Sequence, residues 1–186
     1  IHSPFYRQEP VAKNDGNINV SFVKLHSIKG NLSGSNEFNA YNSIDKGNNQ
    51  GINIYPDSRD MYWINGTGNW SDTAHWSSTP YNNDADCVPI GFDNVFFNDV
   101  SFNGSDSVRV DMKEISCNNM TWSGNADPLF INTISVPSLT IYGSLEFSPY
   151  MTNKFMGPVF FADTLGGRSI KTSNKGFNKD ITFIGE

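Results

Sequence analysis

The chain has 186 residues and a formal net charge of −6, from 13 Lys and Arg against 19 Asp and Glu. Hydrophobic residues make up only 37%, but aromatics reach 13%, with 14 Phe, a balance that suits a β-rich core of large side chains rather than a helical one. No basic stripe marks a nucleic-acid surface, and no run approaches the roughly 20 apolar residues of a membrane helix, so neither partner is expected.

The opening "IHSPFYRQEP" does not read as a native start, so the segment is read as cut from something longer, with any targeting signal outside it. Short in-out-in strands follow: Val20 and Phe22 in "INVSFVK", then Phe38 and Ala40 in "NEFNAYN". "IYPDSRDMYW" (54–63) carries Pro and charge and reads as a boundary. "YWINGTGNWSDTAHW" (62–76) then sets three of the four tryptophans, Trp63, Trp70 and Trp76, among turn formers. A loop-like, acidic stretch, "TPYNNDADCVPIGFDN" (79–94), precedes the regular part of the chain.

There the pattern returns: Met120 and Trp122 in "NNMTWSG", Leu139 and Ile141 in "SLTIYG", Val159 and Phe161 in "PVFFAD", Ile181 and Phe183 in "DITFIG". Successive pairs begin about 20 residues apart, each a short alternating strand followed by a turn. Short strands at that period, with no helical pattern between them, predict an all-β fold, a right-handed parallel β-helix or solenoid. Its coils stack about 4.8 Å apart, with apolar ladders inside and Asn ladders along the turns. The competing architecture, an antiparallel sandwich, would need stronger hairpin signals. Residues 1–57 are read as the terminal coils of one solenoid module, and 58–186 as the cap and first coils of the next.

A solenoid end exposes unpaired strand backbone and ladder ends, so Trp63, Trp70 and Trp76 are assigned to a structural cap, with His75 as a hydrogen-bonding residue within it. The alternative use of three indoles is a platform for stacking sugar rings. Cys87 and Cys117 could be free thiols or, in an exported protein, a disulfide. The disulfide is the preferred expectation, and closing about 30 residues it would add roughly 3–4 kcal/mol. Asp84, Asp86, Asp93, Asp99, Asp106 and Asp111 crowd the loop and first strands. Oxygen ligands at Asp84, Asp86 and Asp93 make a bound calcium ion conceivable, though no EF-hand spacing exists; no other cofactor is expected. Arg109 lies near these acids in sequence, yet no motif fixes a lyase geometry. Glu37, Glu114 and Glu146 are too scattered to read as a glycosidase pair. No catalytic residue is assigned.

The ordered pieces "YWINGTGNWSDTAHWS", "CVPIGFDNVFFNDVSF", "VRVD", "SCNNMTWSG", "LTIYGSL" and "GFNKDITFIG" resemble a module of giant SprB-type surface adhesins of gliding Bacteroidota. "NAYNSIDKGNNQGINIYP" resembles the end of the preceding module, and the likeness spans about 38–186. The loop at 79–86 is shorter and more acidic than is usual in such modules, so no loop-borne specificity is carried over. The resemblance implies a non-enzymatic extracellular repeat segment, exported by the type IX secretion system and held at the outer-membrane surface for gliding and attachment. It implies as partners the adjacent modules of the same chain, the secretion or anchoring machinery, and a substratum or polysaccharide ligand. It also makes the Asp-Ser/Thr-aliphatic triplets at Thr73, Ser107 and Thr164 candidate O-glycosylation sites. The reading from another class is a polysaccharide-binding or polysaccharide-degrading β-helix protein.

Overall fold

The computed structural model describes residues 11–12, 16–21, 23–31, 34–45, 47–55, 58–82, 87–162 and 167–184. About 40% of the described residues are strand, and the strands stack in parallel as β-solenoid coils, about seven turns in all. Two compact units divide it, Ile1–Asp57 and Ser58–Gly185.

Among its described residues the first unit holds seven short strands: β1 (Val11–Ala12), β2 (Ile18–Ser21), β3 (Lys24–Leu25), β4 (Lys29–Gly30), β5 (Phe38–Tyr41), β6 (Ile44–Asp45) and β7 (Asn53–Tyr55). All pairings are parallel, β1 with β4, β3 with β6, and β2–β5–β7 in one sheet, so Val20, Ala40 and Ile54 share a rung. The amide of Asn53 donates to Asn39 (3.0 Å), and that of Asn39 to Asn19 (3.4 Å). This is an Asn ladder on strands rather than along the turns, where the sequence predicts it: equivalent side chains one coil apart lie within hydrogen-bonding reach. Phe22, read as the second inward residue of its strand, lies outside the described residues.

In the second unit each regular coil contributes one strand to each of three faces. The first face runs β10 (Trp76–Ser77), β8 (Asp60–Trp63), β11 (Asn94–Phe97), β14 (Met120–Trp122), β17 (Leu145–Glu146) and β20 (Ile170–Lys171). The second runs β9 (Gly68–Asn69), β12 (Ser107–Val110), β15 (Leu129–Asn132) and β18 (Thr152–Lys154). The third runs β13 (Glu114–Cys117), β16 (Ser138–Ile141), β19 (Val159–Phe161) and β21 (Ile181–Phe183).

Alternation in the sequence becomes burial here. Val95 and Phe97, Val108 and Val110, Ile115 and Cys117, Leu139 and Ile141 all point inward and are buried, as the two-residue period of a strand requires. The inward rungs are continuous: Met61–Val95–Met120–Leu145–Ile170 on the first face, and Ile115–Leu139–Val159–Ile181 on the third. Leu139, Val159 and Ile181 therefore do stack, but Met120 and Trp122 belong to another face. The rung beneath Leu139 is Ile115. Sequence spacing misassigned it because the step from coil to coil differs by face, from roughly 20 to roughly 25 residues, the difference being taken up in turns.

Stacked aromatics fill the centre. Phe97 lies 3.8 Å from Trp122 with ring planes 13° apart, and Phe130 stacks on Phe155 at 5.2 Å. Outside, Asn118 and Asn119 both donate to the side-chain oxygen of Asn94, whose own amide donates to Asp60 and Ser58. Among the described residues no helix is long and apolar enough to cross a membrane.

Candidate functional site

The chemistry-bearing residues gather at the start of the second unit. After β8 the chain reverses through Asn65, at φ 64°, and Gly66. It passes β9 and a single 3-10 turn, Thr73–His75, whose N-cap Asp72 accepts from the Ala74 amide at 3.0 Å. It then returns as β10, antiparallel to β8, with Trp76 opposite Trp63. This is the one antiparallel pairing among the unit's described residues, and it occupies the edge of β8 that would otherwise be open.

The three indoles turn inward. Trp63, Trp70 and Trp76 are at most 1% exposed. Trp76 meets Trp63 and Trp70 edge-on at 5.1 and 4.8 Å, and all three lie 6.0–6.2 Å from Phe97 in the next coil. Two of the polar ends have partners: Trp63 Nε1 donates to Gly66 O (2.7 Å) and Trp76 Nε1 to Trp70 O (2.9 Å). Each indole removes about 200 Å² from water, on the order of 5 kcal/mol of apolar transfer before entropy is counted. Buried faces leave none for a sugar ring to stack on.

His75 belongs to the same assembly. Its ring stacks on Trp63 at 4.8 Å, and its Nδ1 donates to the Ile64 carbonyl at 2.9 Å. The imidazole covers Gly68 so closely that a Cβ there would run into it. Gly68 is thus set by the lid above it rather than by its own backbone angles.

The carboxylates do not converge; each ties one coil to another. Asp93, fully buried, receives Nε and Nη2 of Arg59 at 2.8 Å each and the Ile90 amide at 2.9 Å. These bonds hold the Arg59 guanidinium charged, raised further above its ordinary range chiefly by Asp93. Asp99 accepts from the Asn125 amide, and Asp111 from the amide and hydroxyl of Ser71. Asp106 accepts from the Asn103 amide (2.7 Å) and the Thr67 hydroxyl (2.8 Å), and these bonds, the Asn103 amide first, hold its carboxyl below the usual range. A depressed native pKa stabilises the fold above the unfolded value, near 4, and that stability is lost as pH falls through the native one. Acid unfolding should therefore begin below about pH 4, and Asp106→Asn should flatten that limb of a stability-versus-pH curve.

Of the three acids named for calcium, Asp84 and Asp86 lie outside the described residues, and both oxygens of Asp93 are already engaged. Among the described residues no three His, Cys, Asp or Glu side chains are grouped to hold a metal. Arg109 is exposed on β12, Glu114 is exposed on β13, and Glu146 lies 3.7 Å from Lys171. Glu37, in the first unit, accepts from Asn39.

The expected disulfide is absent: Cys87 and Cys117 are free thiols. Cys117 is an inward rung of β13, in register with Ile141 and completely buried. Cys87 sits half-buried in the loop before β11, its sulfur 3.5 Å from Arg59 Nη1. Burial, with Asp93 adding to it, pushes the Cys117 thiol up and keeps it protonated at neutral pH. A thiol reagent should label one cysteine per native chain, Cys87, and two after denaturation; mass spectrometry of the labelled peptides checks this.

Of the glycosylation candidates, Thr73 is exposed where the 3-10 turn begins, and Ser107 is half-buried at the start of β12, its amide donating to the Thr67 hydroxyl. Thr164 lies outside the described residues. One feature had no signal in the sequence pattern. An open groove of about 250 Å³ beside the lid is lined by Ile64, Asn65, Pro80, Tyr81, Asn82 and Val100. The lining comes from the stretches that follow β8, β10 and β11, which pair side by side.

The fold and this site define a β-solenoid segment whose first coil is closed by an aromatic lid. Compared with family models, curated proteins and solved structures, the chain finds no match.

Proposed function

We propose that the chain is a non-enzymatic, extracellular repeat segment of a large cell-surface adhesin of the gliding-motility kind, exported by the type IX secretion system. The observation that carries this reading is the use of the acidic residues. Asp93, Asp99, Asp106 and Asp111 each bind a partner 26 to 40 positions away or on a neighbouring coil, so their chemistry serves cohesion along the stack. Backbone ladders, buried aromatics and such ties together resist extension, which is what a load-bearing surface segment requires. The motif order described above supports the same reading.

The test is made on intact source cells. An antibody to this segment should label the cell surface, labelling should vanish when type IX export is blocked, and excising the coding segment should weaken attachment or gliding. Signal confined to the cell interior would end the proposal, as would polysaccharide turnover by the purified chain that Asp106→Asn abolishes. The groove beside the lid favours the binding form of the alternative reading. It is uncharged, pairs two amides with apolar walls, and carries Tyr81, 83% exposed, a combination suited to a neutral sugar.

A further inference from the structure

The dipeptide Asn-Gly occurs at Asn65–Gly66 and again at Asn103–Gly104. It invites self-modification, because glycine puts no side chain beside a backbone nitrogen within reach of the asparagine carboxamide. The fold places the two copies in opposite surroundings. Asn65 is clamped: its carboxamide donates to the Ala74 carbonyl at 2.9 Å, and the Gly66 amide donates to the Ser101 carbonyl at 3.0 Å. The Asp106 carboxylate packs against Gly66 as well. Both groups that would react are therefore held by the lid.

Asn103 and Gly104 lie in an exposed bend between the buried Phe102 and β12. Among the described residues neither the Asn103 carboxamide nor the Gly104 amide has a hydrogen-bond partner. No atom beyond the chain neighbours lies within 4 Å of where a Gly104 Cβ would stand. What is held is the backbone on either side. The Asn103 amide donates to Asp106 Oδ2 at 2.7 Å, and the Thr67 hydroxyl donates to Asp106 Oδ1 at 2.8 Å. Thr67 Oγ1 in turn accepts from the Ser107 amide at 3.0 Å, so Asp106 ties this bend to the lid.

We infer that Asn103 is a self-modifying site, which converts to aspartate or isoaspartate in the folded protein and thereby loosens the lid. The Gly104 nitrogen gives its proton to solvent hydroxide and attacks Cγ of Asn103. The new N–Cγ bond closes a succinimide ring. The Cγ–Nδ2 bond breaks, and its electron pair leaves with a proton from water as ammonia. Water then adds to one of the two ring carbonyls that flank the nitrogen. Opening at the Cγ–N bond leaves aspartate; opening at the backbone C–N bond leaves isoaspartate, with the main chain rerouted through Cβ. Either product sets a second carboxylate near Asp106, and isoaspartate also adds a methylene to the backbone between the two residues. Like charge and a longer chain both weaken the bond from the residue-103 amide to Asp106, and with it the tie to Thr67.

The full chain is aged in mildly alkaline buffer, with and without urea, and sampled over weeks. Tandem mass spectrometry reads the chymotryptic peptides, and an isoaspartyl methyltransferase scores isoaspartate. In the folded chain Asn103 should convert about tenfold faster than Asn65 or more, the factor that about 1.4 kcal/mol of lid opening supplies. In urea, which removes the clamp on Asn65, the two rates should converge. Hydrogen exchange then compares aged with fresh protein: amides of residues 66–70 should exchange faster after conversion. Asn103→Gln, a change at an exposed side chain without partners among the described residues, should block conversion there and keep those amides at their fresh rates. The inference is overturned if Asn103 stays intact or if the two sites convert equally fast in the folded chain. It is also overturned if exchange at 66–70 is unchanged after conversion, or if the aged Asn103→Gln chain loosens as much as its parent.

Discussion

Trp76→Ala is expected to cost the Ser58–Gly185 unit about 4 kcal/mol, the middle of the range for deleting a buried aromatic side chain. The size follows from what the indole does. It is fully buried, wedges between Trp63 and Trp70, reaches Phe97 in the next coil, and donates to the Trp70 carbonyl. Removing it opens a cavity that β10 cannot fill, and β10 is the strand that shields the edge of β8. Urea denaturation followed by tryptophan fluorescence and far-UV circular dichroism measures the loss. Tyr81→Ala, at an exposed position on the same lid, should stay within about 0.5 kcal/mol. A Trp76→Ala loss below about 1 kcal/mol would mean that the lid does not close the solenoid energetically.

The second large effect is expected at Arg59→Met, which removes the cationic side chain paired with Asp93. Asp93 has no exposure of its own, and two of its hydrogen bonds come from that guanidinium. Breaking a buried pair by removing one partner costs about 3–5 kcal/mol, because the remaining charge is left uncompensated. The Arg59 side chain is itself 54% exposed, so water reaches the pair and about 3 kcal/mol, the lower end, is expected. The double substitution Arg59→Met with Asp93→Asn should recover much of the loss, since it removes the stranded charge along with its partner. If the double variant is no better than the single one, the pair is not what holds residues 87–94 in place.

Much of the solenoid was legible because strand alternation and ladder stacking are local and repetitive. Leu139, Val159 and Ile181 do share a rung, whereas Val20 registers on Ala40 and Phe38 on Ile18, two residues off the expected pairing of Val20 with Phe38. The Asn content pointed to side-chain ladders, but Asn19, Asn39 and Asn53 form theirs on strands rather than on turns. What stayed hidden depends on turns. Met120 and Ile115 could not be sorted between faces while the turn lengths were unknown, and the antiparallel return of β10 rests on the left-handed residue at Asn65. The Arg59–Asp93 clasp joins residues 34 positions apart with nothing between them to announce it. The disulfide expectation rested on there being two cysteines in a chain read as exported, whereas one is a rung inside a sheet and the other faces an arginine.

The unequal spacing of the rungs has a further implication. Cross-section and length are controlled by different parts of the chain: strand residues fix the cross-section, and turns absorb whatever residues remain. Lengthening a turn by several residues costs a fraction of a kcal/mol in closure entropy, about 0.6 for each doubling. Deleting a single residue inside a strand turns every inward side chain outward. Such a chain can drift in length, coil by coil, while presenting neighbours with a rod of constant girth. Fixed-spacing patterns lose their hold on it, while the rungs continue to align in space.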